Sequence, residues 1–298
     1  MILGFIGTGK ISSSIIFGIF KSKLKVKKIY ISSRNRNIAK KLTKKYRKIT
    51  ILNNNQEIID KSSTIILGVT PNVGSKILPK LKFSKNKKII SLISTISLEK
   101  LKKITKNKNI VKATPLPPIE IKKGPIVICP PNKNAKNIFK HLGEVVEIRN
   151  EKLSNKFWAT ASIMAAYYEI LNVSSNWLTK KGINKTIANN YISELFLALS
   201  QDAVNKRSQG FKKLVADSQT PKGLNMQVLN ELKRGKFYNK FTKAMDNINK
   251  RSQGFKKLVA DSQTPKGLNM QVLNELKRGK FYNKFIKAMD NINKRVSS

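Results

Sequence analysis

The chain has 298 residues, of which 40% are hydrophobic, and carries a formal net charge of +44 at pH 7. This length accommodates one large domain or two ordinary ones, and the hydrophobic content excludes a disordered chain. The sequence has no apolar run near the roughly 18 residues that indicate a membrane span. The single cysteine, Cys129, excludes an intrachain disulfide and is typical of a reducing cytoplasm. The single histidine, His141, excludes a multi-histidine metal site, so we expect no metal.

The positive charge has two interpretations, a nucleic-acid-binding surface or a biased composition. The lysines are spread along the whole chain, and aromatic residues do not alternate with them as a surface for stacking bases would require. Lys, Ile and Asn are all frequent, which is typical of an AT-rich genome. We therefore expect no nucleic-acid partner, although the charge should attract anionic ligands.

Short apolar runs alternate with amphipathic stretches up to about Asn150. The alternation favours a parallel sheet covered by helices. The apolar runs predict strands at 1–6, 27–32, 63–69, 87–94, 109–114, 124–130 and 144–148. The amphipathic stretches predict helices at 10–22, 35–46, 71–81, 97–104 and 132–143.

Beyond Asn150 the strand signals stop. Residues 152–182 and 184–204 have the pattern of long helices. We therefore predict an α/β domain over residues 1–150, followed by an all-α domain over residues 151–298.

The segment "GFIGTGKISSSIIFGI" places three glycines between the first predicted strand and the first predicted helix. Gly7 permits a tight turn and Gly9 lets the backbone approach a pyrophosphate, with Thr8 between them. The helix that starts at Lys10 and Ile11 then presents free N–H groups to the phosphates. This setting predicts a Rossmann-type dinucleotide-binding domain.

The end of the second strand indicates which dinucleotide is bound. An NAD site usually has an acidic residue there, which holds the ribose hydroxyls. This chain has Ser33 and Arg34 instead, and no acidic residue before Glu57. An arginine offers a planar set of donors to a 2′-phosphate, so the sequence favours NADP (NADPH) over NAD.

These motifs resemble those of the pyrroline-5-carboxylate reductase family over most of the chain. The resemblance extends from the glycine loop through "ISSRN", "LGVTP" and "VKATPLPP" to "DSQTPKGLN". It implies further cofactor contacts at an asparagine and at a Val-x-Pro segment, namely Asn55, Val69, Thr70 and Pro71. It also implies a dimer or higher homo-oligomer with intertwined helical domains, in which the all-α domain provides the dimer contacts.

The chain departs from this family in the segments near the substrate. The family's Met-Pro-Asn-Thr-Pro segment is met only partly, from Thr114 on, and its Ser-Gly-Ser-Gly-Pro-Ala turn is replaced by "ASIMAAY". Its Ser-Pro-Gly-Gly-Thr-Thr segment is replaced by "TPKGLN". The substrate-pocket candidates are therefore Thr114, Ser162, Pro221, Gly223 and Asn225. No catalytic residue can be named among them.

The resemblance implies hydride transfer from NADPH to a small cyclic imine, in the first place 1-pyrroline-5-carboxylate, which would give L-proline. A protonated imine accepts hydride without a strong side-chain acid, so a chain poor in histidine suffices. The altered segments leave open a relative of different specificity or a non-catalytic NADP-binding relative. A basic nucleic-acid-binding protein ranks last.

The C-terminal part contains a tandem duplication. Residues 205–248 recur at 249–292, with Thr242 replaced by Ile286 as the one change. We expect the first copy, which follows the long helices directly, to be the working one. The second copy is expected to pack loosely on the surface or to compete for the same dimer groove.

Overall fold

The computed structural model describes residues 1–93, 95–253 and 268–296. These residues form two compact units, one of residues 1–161 and the other of residues 162–250 together with 268–296. The first unit is a sheet covered by helices, and the described part of the second is helical. This confirms the predicted order of an α/β domain and an all-α domain, while the first unit extends to Ala161 and includes the helix that follows the predicted boundary at Asn150.

The first unit contains eight strands and seven α-helices among its described residues. The strands are β1 (Ile2–Ile6), β2 (Lys28–Ser32), β3 (Ile49–Leu52), β4 (Thr64–Leu67), β5 (Lys88–Ser91), β6 (Ile110–Thr114), β7 (Pro125–Cys129) and β8 (Glu144–Glu147). The helices are α1 (Lys10–Lys21), α2 (Arg36–Lys45), α3 (Asn55–Lys61), α4 (Pro71–Ile77), α5 (Leu98–Thr105), α6 (Lys133–Phe139) and α7 (Glu151–Ala161).

The strands form one sheet in the order β3-β2-β1-β4-β5-β6-β7-β8. All neighbouring strands are parallel except β6 and β7. The expectation of a parallel sheet is therefore wrong for β7 and β8, which run opposite to the rest. A parallel crossover needs about a dozen residues or more, usually a helix, whereas residues 115–124 hold only a short 3-10 turn at Pro117–Ile121.

Two elements of the first unit were not predicted. β3 is a short strand at the edge of the sheet, and most of its residues are only partly buried, so its apolar pattern is weak. α3 begins in an asparagine-rich stretch that has the composition of a loop. There the side chain of Asn54 accepts a hydrogen bond from the Gln56 amide at 2.8 Å and caps the helix.

The strands are rich in isoleucine and pack helices on both faces, as is typical of parallel sheets. On one face α1 buries Ile15, Ile16 and Ile19 completely. This helix also lies close to the 3-10 turn, because a Cβ atom at Gly18 would be 2.4 Å from the carbonyl oxygen of Ile119. The packing of α1 fixes the loop that precedes it.

The second unit contains seven α-helices among its described residues. They are α8 (Met164–Lys180), α9 (Lys185–Asn205), α10 (Phe211–Asp217), α11 (Leu224–Arg234), α12 (Phe237–Gln253), α13 (Leu268–Arg278) and α14 (Phe281–Val296). The predicted helix at 152–182 is interrupted after Ala161 and resumes at Met164. No helix in the described ranges has both the length and the apolar character that a membrane crossing requires.

The duplicated segment forms two equivalent helix pairs, α11–α12 and α13–α14. The second pair packs on α8: the Tyr282 hydroxyl donates to the Ala166 carbonyl at 3.4 Å, and Trp177 Nε1 donates to Asp290 Oδ1 at 2.8 Å. Tyr282 is 5% exposed, whereas its equivalent Tyr238 is 43% exposed. The expectation that the second copy packs loosely on the surface is therefore wrong for its described residues, because that copy holds the buried position on α8.

Candidate dinucleotide site

The candidate site lies where the connections that follow β1, β2 and β4 meet. These strands are parallel neighbours, so their carboxyl ends share one edge of the sheet. The chain order of strands reverses between β1 and β4, and open α/β sheets bind ligands in the crevice at such a point.

Gly7 forms the turn after β1. Its φ is +99°, a region that residues with a Cβ atom rarely adopt. A Cβ atom there would also lie 2.6 Å from the carbonyl oxygen of Gly68. Both the conformation and the contact require glycine at this position.

Ser32, the last residue of β2, holds the glycine loop in place. The Gly7 amide donates to Ser32 Oγ at 3.0 Å, and the Thr8 hydroxyl donates to the Ser32 carbonyl at 2.6 Å. Thr8 is buried and turned toward β2. We expected Thr8 to contact the cofactor through its position in the loop, and the structure gives its side chain this holding role.

Gly9 is the N-cap of α1, and its surroundings differ from those of Gly7. A Cβ atom at Gly9 would meet no heavy atom within 4 Å, so the space beside it is open. The first hydrogen bond of the helix runs from the Ser13 amide to the Gly9 carbonyl at 3.0 Å. The preceding amides, those of Lys10, Ile11 and Ser12, are the ones that a helix leaves without an internal acceptor. Open space above free amides fits a pyrophosphate.

Ser33 and Arg34 follow β2 directly, in the turn that leads to α2. Ser33 is partly buried and Arg34 is exposed, so both are accessible beside the glycine loop that Ser32 holds. The neighbouring α2 starts at Arg36, which adds a second cation at this end of β2. A cationic turn of this kind suits a phosphate on the ribose better than a bare hydroxyl pair.

The remaining predicted cofactor residues lie at the same edge of the sheet. Val69 and Thr70 follow β4, Thr70 is the N-cap of α4, and Pro71 is its first residue. The side chain of Val69 lies against the glycine loop, 2.7 Å from where a Cβ atom of Gly7 would be. Asn55 begins α3, after the end of β3.

One site residue, Gly68, was not predicted from the sequence; it packs on Ser12, the third position of the glycine motif, where the small side chain predicts close packing. Gly68 faces α1, and a Cβ atom there would be 2.1 Å from Ser12 Oγ. Ser12 Oγ is buried and has no hydrogen-bond partner among the described residues. The pair shows why the third position of the glycine motif must be small. The sequence signal was present in "LGVTP", whose glycine directly precedes the Val-x-Pro segment.

Thr114, the last residue of β6, lies at the same edge of the sheet. Two residues earlier, on the same face of the strand, Lys112 is buried and pairs with Glu151 at 2.8 Å. The Glu151 carboxylate also accepts a hydrogen bond of 3.0 Å from the amide of Leu98, at the start of α5. This ion pair therefore joins β6, α5 and α7, and it was not predicted from the sequence.

Cys129 lies near this ion pair, at the end of β7. Burial raises the pKa of the Cys129 thiol, and the negative charge of Glu151 raises it further. The thiol is therefore protonated at neutral pH and is a poor nucleophile.

The other substrate-pocket candidates belong to the second unit and lie on two different elements. Ser162 is buried in the interruption between α7 and α8. Pro221 and Gly223 lie in the turn before α11, and Asn225 is the second residue of that helix. Asn225 Nδ2 donates to the Ser218 carbonyl at 2.9 Å and closes this turn on itself. The equivalent turn of the second copy, from Thr264 on, lies outside the described residues.

Two family models match this chain. Residues 2–95 match the model described as NADP oxidoreductase, coenzyme F420-dependent, and residues 151–255 match the model of the pyrroline-5-carboxylate reductase dimerisation domain. A pyrroline-5-carboxylate reductase from Pisum sativum is 23% identical over 255 residues, which cover 82% of this chain and 92% of that protein. These matches support membership of the pyrroline-5-carboxylate reductase family. Enzymes of this family are NAD(P)-dependent oxidoreductases that act on a C=N bond.

Solved structures of this family have the same fold. The 1-pyrroline-5-carboxylate reductase from Streptococcus pyogenes superposes with a TM-score of 0.73 at 23% identity, covering 85% of this chain and 98% of that one. The pyrroline carboxylate reductase from Plasmodium falciparum, solved with NADP bound, superposes with a TM-score of 0.73 at 21% identity, covering 85% and 97%. The dimerisation model ends at residue 255, so it covers the first copy of the duplicated segment and little of the second.

Proposed function

We propose that this protein reduces a small cyclic imine with NADPH, in the first place 1-pyrroline-5-carboxylate, to give L-proline. The observation that carries the proposal is the pairing of a glycine loop with a cationic turn at one crevice. Gly9 leaves open space above the free amides of α1, and Arg34 stands at the end of β2. The family and its relatives supply the substrate class.

The bound NADPH would supply the hydride, and the residues of this chain hold and orient it. The α1 amides and the Gly7–Gly9 backbone bind the pyrophosphate. Ser33 and Arg34 bind the 2′-phosphate, where an acidic residue would repel it. Val69, Thr70 and Pro71, at the end of β4, lie on the far side of the glycine loop from β2 and would border the nicotinamide end.

The substrate arrives as an iminium once its nitrogen is protonated, so hydride can add to carbon without a strong acid from the protein. The chain must bind the substrate carboxylate and keep the imine carbon at a fixed distance from the cofactor. Hydroxyl and amide groups at Thr114, Ser162 and Asn225 are the candidates for this hold. The high positive charge of the chain draws both anionic reactants toward the protein.

The same proposal includes a cytoplasmic homodimer or higher homo-oligomer, with no nucleic-acid partner. Its support is an apolar stripe on α9, where large side chains spaced four residues apart are exposed: Ile187 at 62%, Tyr191 at 60%, Leu195 at 38% and Leu199 at 59%. A stripe of this size on a soluble helix is typical of an interface.

Replacing Arg34 with aspartate tests the cofactor assignment. We expect the R34D variant to lose at least about tenfold in kcat/KM with NADPH, a cost of about 1.4 kcal/mol, while the value with NADH falls less or rises. Arg36→Asp is the matched control for a general loss of positive charge and should shift the ratio less. An unchanged NADPH-to-NADH ratio in R34D would exclude Arg34 as the phosphate contact.

An NADPH-oxidation assay across pyrroline-5-carboxylate, other cyclic imines and 2-oxo acids tests the substrate. We expect the five-membered cyclic imine acid to react fastest. NADPH binding without oxidation by any imine would favour the alternative, a non-catalytic NADP-binding relative.

A further inference from the structure

We propose that the two copies of the duplicated segment bind each other inside one chain, through a two-fold-symmetric contact of the kind that normally joins identical subunits. The partner of the first copy is therefore the second copy of the same chain. The contacts between α11–α12 and α13–α14 carry this inference.

The centre of the contact is a pair of equivalent residues. Phe237 and Phe281 occupy the same position in the two copies, and their rings stack with centroids 3.7 Å apart. In a symmetric contact between identical surfaces, a residue that meets its own equivalent lies on the two-fold axis. The stacked rings mark that axis.

Four contacts on either side of the axis form two exchanged pairs, whereas the hydrogen bond from Asn247 to Glu275 has no mirrored counterpart among the described residues. Lys240 Nζ donates to the Gly279 carbonyl, and Lys284 Nζ donates to the Gly235 carbonyl, so each lysine contacts the equivalent glycine of the other copy. The outer phenylalanines repeat the exchange, with centroids 6.1 Å apart for Phe237–Phe285 and 6.3 Å apart for Phe241–Phe281.

This reciprocity defines a self-complementary surface. If residue i of one copy contacts residue j of the other, then j of the first contacts i of the second, which is the rule for contacts about a two-fold axis. We call this surface the pairing surface; in the first copy it comprises Gly235, Phe237, Lys240 and Phe241. Two helix pairs of unrelated sequence would not make such exchanged contacts, because their surfaces are not identical.

The surroundings of the two copies do not impose the symmetry, because they differ. The second copy packs on α8 through Tyr282 and Asp290, and its Lys277 pairs with Glu169 at 3.8 Å. The corresponding face of the first copy is more open, as the 43% exposure of Tyr238 shows. The symmetric contact therefore originates in the pairing surface itself.

Duplication makes this contact intramolecular. A segment tethered in the same chain is present at an effective concentration far above that of a separate chain. The internal copy therefore occupies the pairing surface before a second molecule can. Any homo-oligomer of the full chain must then use another surface, such as the exposed stripe on α9.

Cross-linking on the full-length chain tests this proposal, with a variant that carries Lys240→Cys and Gly279→Cys. A Cβ atom at Gly279 would make only ordinary contacts, the nearest with Lys240 Cδ at 3.4 Å, so the cysteine fits. With a short bismaleimide we expect an internal link, seen on a denaturing gel as a faster-migrating monomer and by mass spectrometry as a bridged peptide pair. The two single-cysteine variants are the controls and should give no link, because the native Cys129 is buried.

The mirrored variant, Gly235→Cys with Lys284→Cys, should give the same internal link if the contact is symmetric. Covalent dimers in place of internal links would overturn the proposal, and so would absence of a link in both variants when circular dichroism shows native helix content. The cross-linking readout does not depend on NADPH or on any imine. The symmetric contact can therefore be disproved while the proposed reductase function stands, and the reductase function can be disproved while the symmetric contact stands.

Discussion

Gly7 and Gly9 belong to one short loop, but the structure requires them for different reasons. Gly7 has a positive φ and meets the backbone of Gly68, so its replacement disturbs the protein itself. Gly9 has an ordinary backbone conformation and open space beside it. Its replacement leaves the protein intact and fills the space that a phosphate would occupy.

We therefore predict that Gly9→Glu abolishes NADPH binding while the protein keeps its fold. A carboxylate placed at the helix N-terminus occupies the anion site and repels the pyrophosphate. The Kd measured by fluorescence titration should rise at least about a hundredfold, a cost of about 2.7 kcal/mol. The melting temperature should stay close to that of the parent.

Gly7→Ala is the contrasting control. Strain at such a backbone position costs roughly 1–3 kcal/mol, so this variant should melt at lower temperature. If Gly9→Glu bound NADPH like the parent, the glycine loop would not be the cofactor site.

At this scale, residues whose role follows from their position along the chain could be predicted from the sequence. The glycine loop and Ser33–Arg34 were of this kind, because each directly follows a strand. Ser32, Gly68 and the Lys112–Glu151 pair were missed because their roles depend on contacts between segments far apart in sequence. A lysine inside the apolar run "NIVKAT" was the signal for the ion pair.

At the scale of elements, the duplicated helices provide a comparison that few proteins offer. Tyr238 and Tyr282 have the same neighbours in sequence, but the first is 43% exposed and the second 5%. Burial raises the pKa of both tyrosines, and the negative charge of Glu169 on α8 raises the pKa of Tyr282 further. Apart from the Thr242-to-Ile286 difference one turn away, differences between substitutions at these two positions report the position of each copy.

We predict that Tyr282→Ala lowers the free energy of unfolding by about 3 kcal/mol and Tyr238→Ala by about 1 kcal/mol or less. The first substitution leaves a cavity against α8, whereas the second removes a side chain that is partly in water. Urea denaturation followed by circular dichroism measures both. The reverse order of the two effects would mean that the first copy occupies α8.

The elements that the sequence predicted best were the long or strongly apolar ones. β1, β2, β4, β5 and β6 are largely buried and apolar, and all were predicted near their observed bounds. β3 and α3 were missed because an edge strand and a capped short helix have little periodicity. The direction of β7 could not be predicted from periodicity, because it depends on the length and path of residues 115–124.

At the scale of the whole molecule, the second copy determines what a shortened chain can do. We predict that deleting residues 249–292, which leaves 254 residues, keeps the fold, dimerisation and NADPH oxidation. In the full chain, side chains of α14 pack on α8. The remaining copy carries the same side chains apart from Thr242 in place of Ile286, so it can pack on α8 in the same way. Its pairing surface is then available to a second chain.

Light scattering coupled to gel filtration measures the result over a range of protein concentrations. The shortened chain should keep the dimer of the full chain and associate further through its free pairing surface. This additional association should dissociate on dilution, and Phe237→Asp in that background should weaken it, because a charge would lie on the two-fold axis. If the shortened chain aggregated or lost NADPH oxidation while the full chain was active, the second copy would be an essential part of the fold.

One further consequence follows from the single α8 and the two copies that can bind it. In the folded chain α8 is covered by the second copy, but the first presents nearly the same sequence to it during folding. The two docked arrangements have nearly the same local contacts, and repeated segments are prone to this kind of misassembly. The chain has therefore acquired an alternative energy minimum, and the order in which the helices emerge from the ribosome brings the first copy to α8 before the second exists.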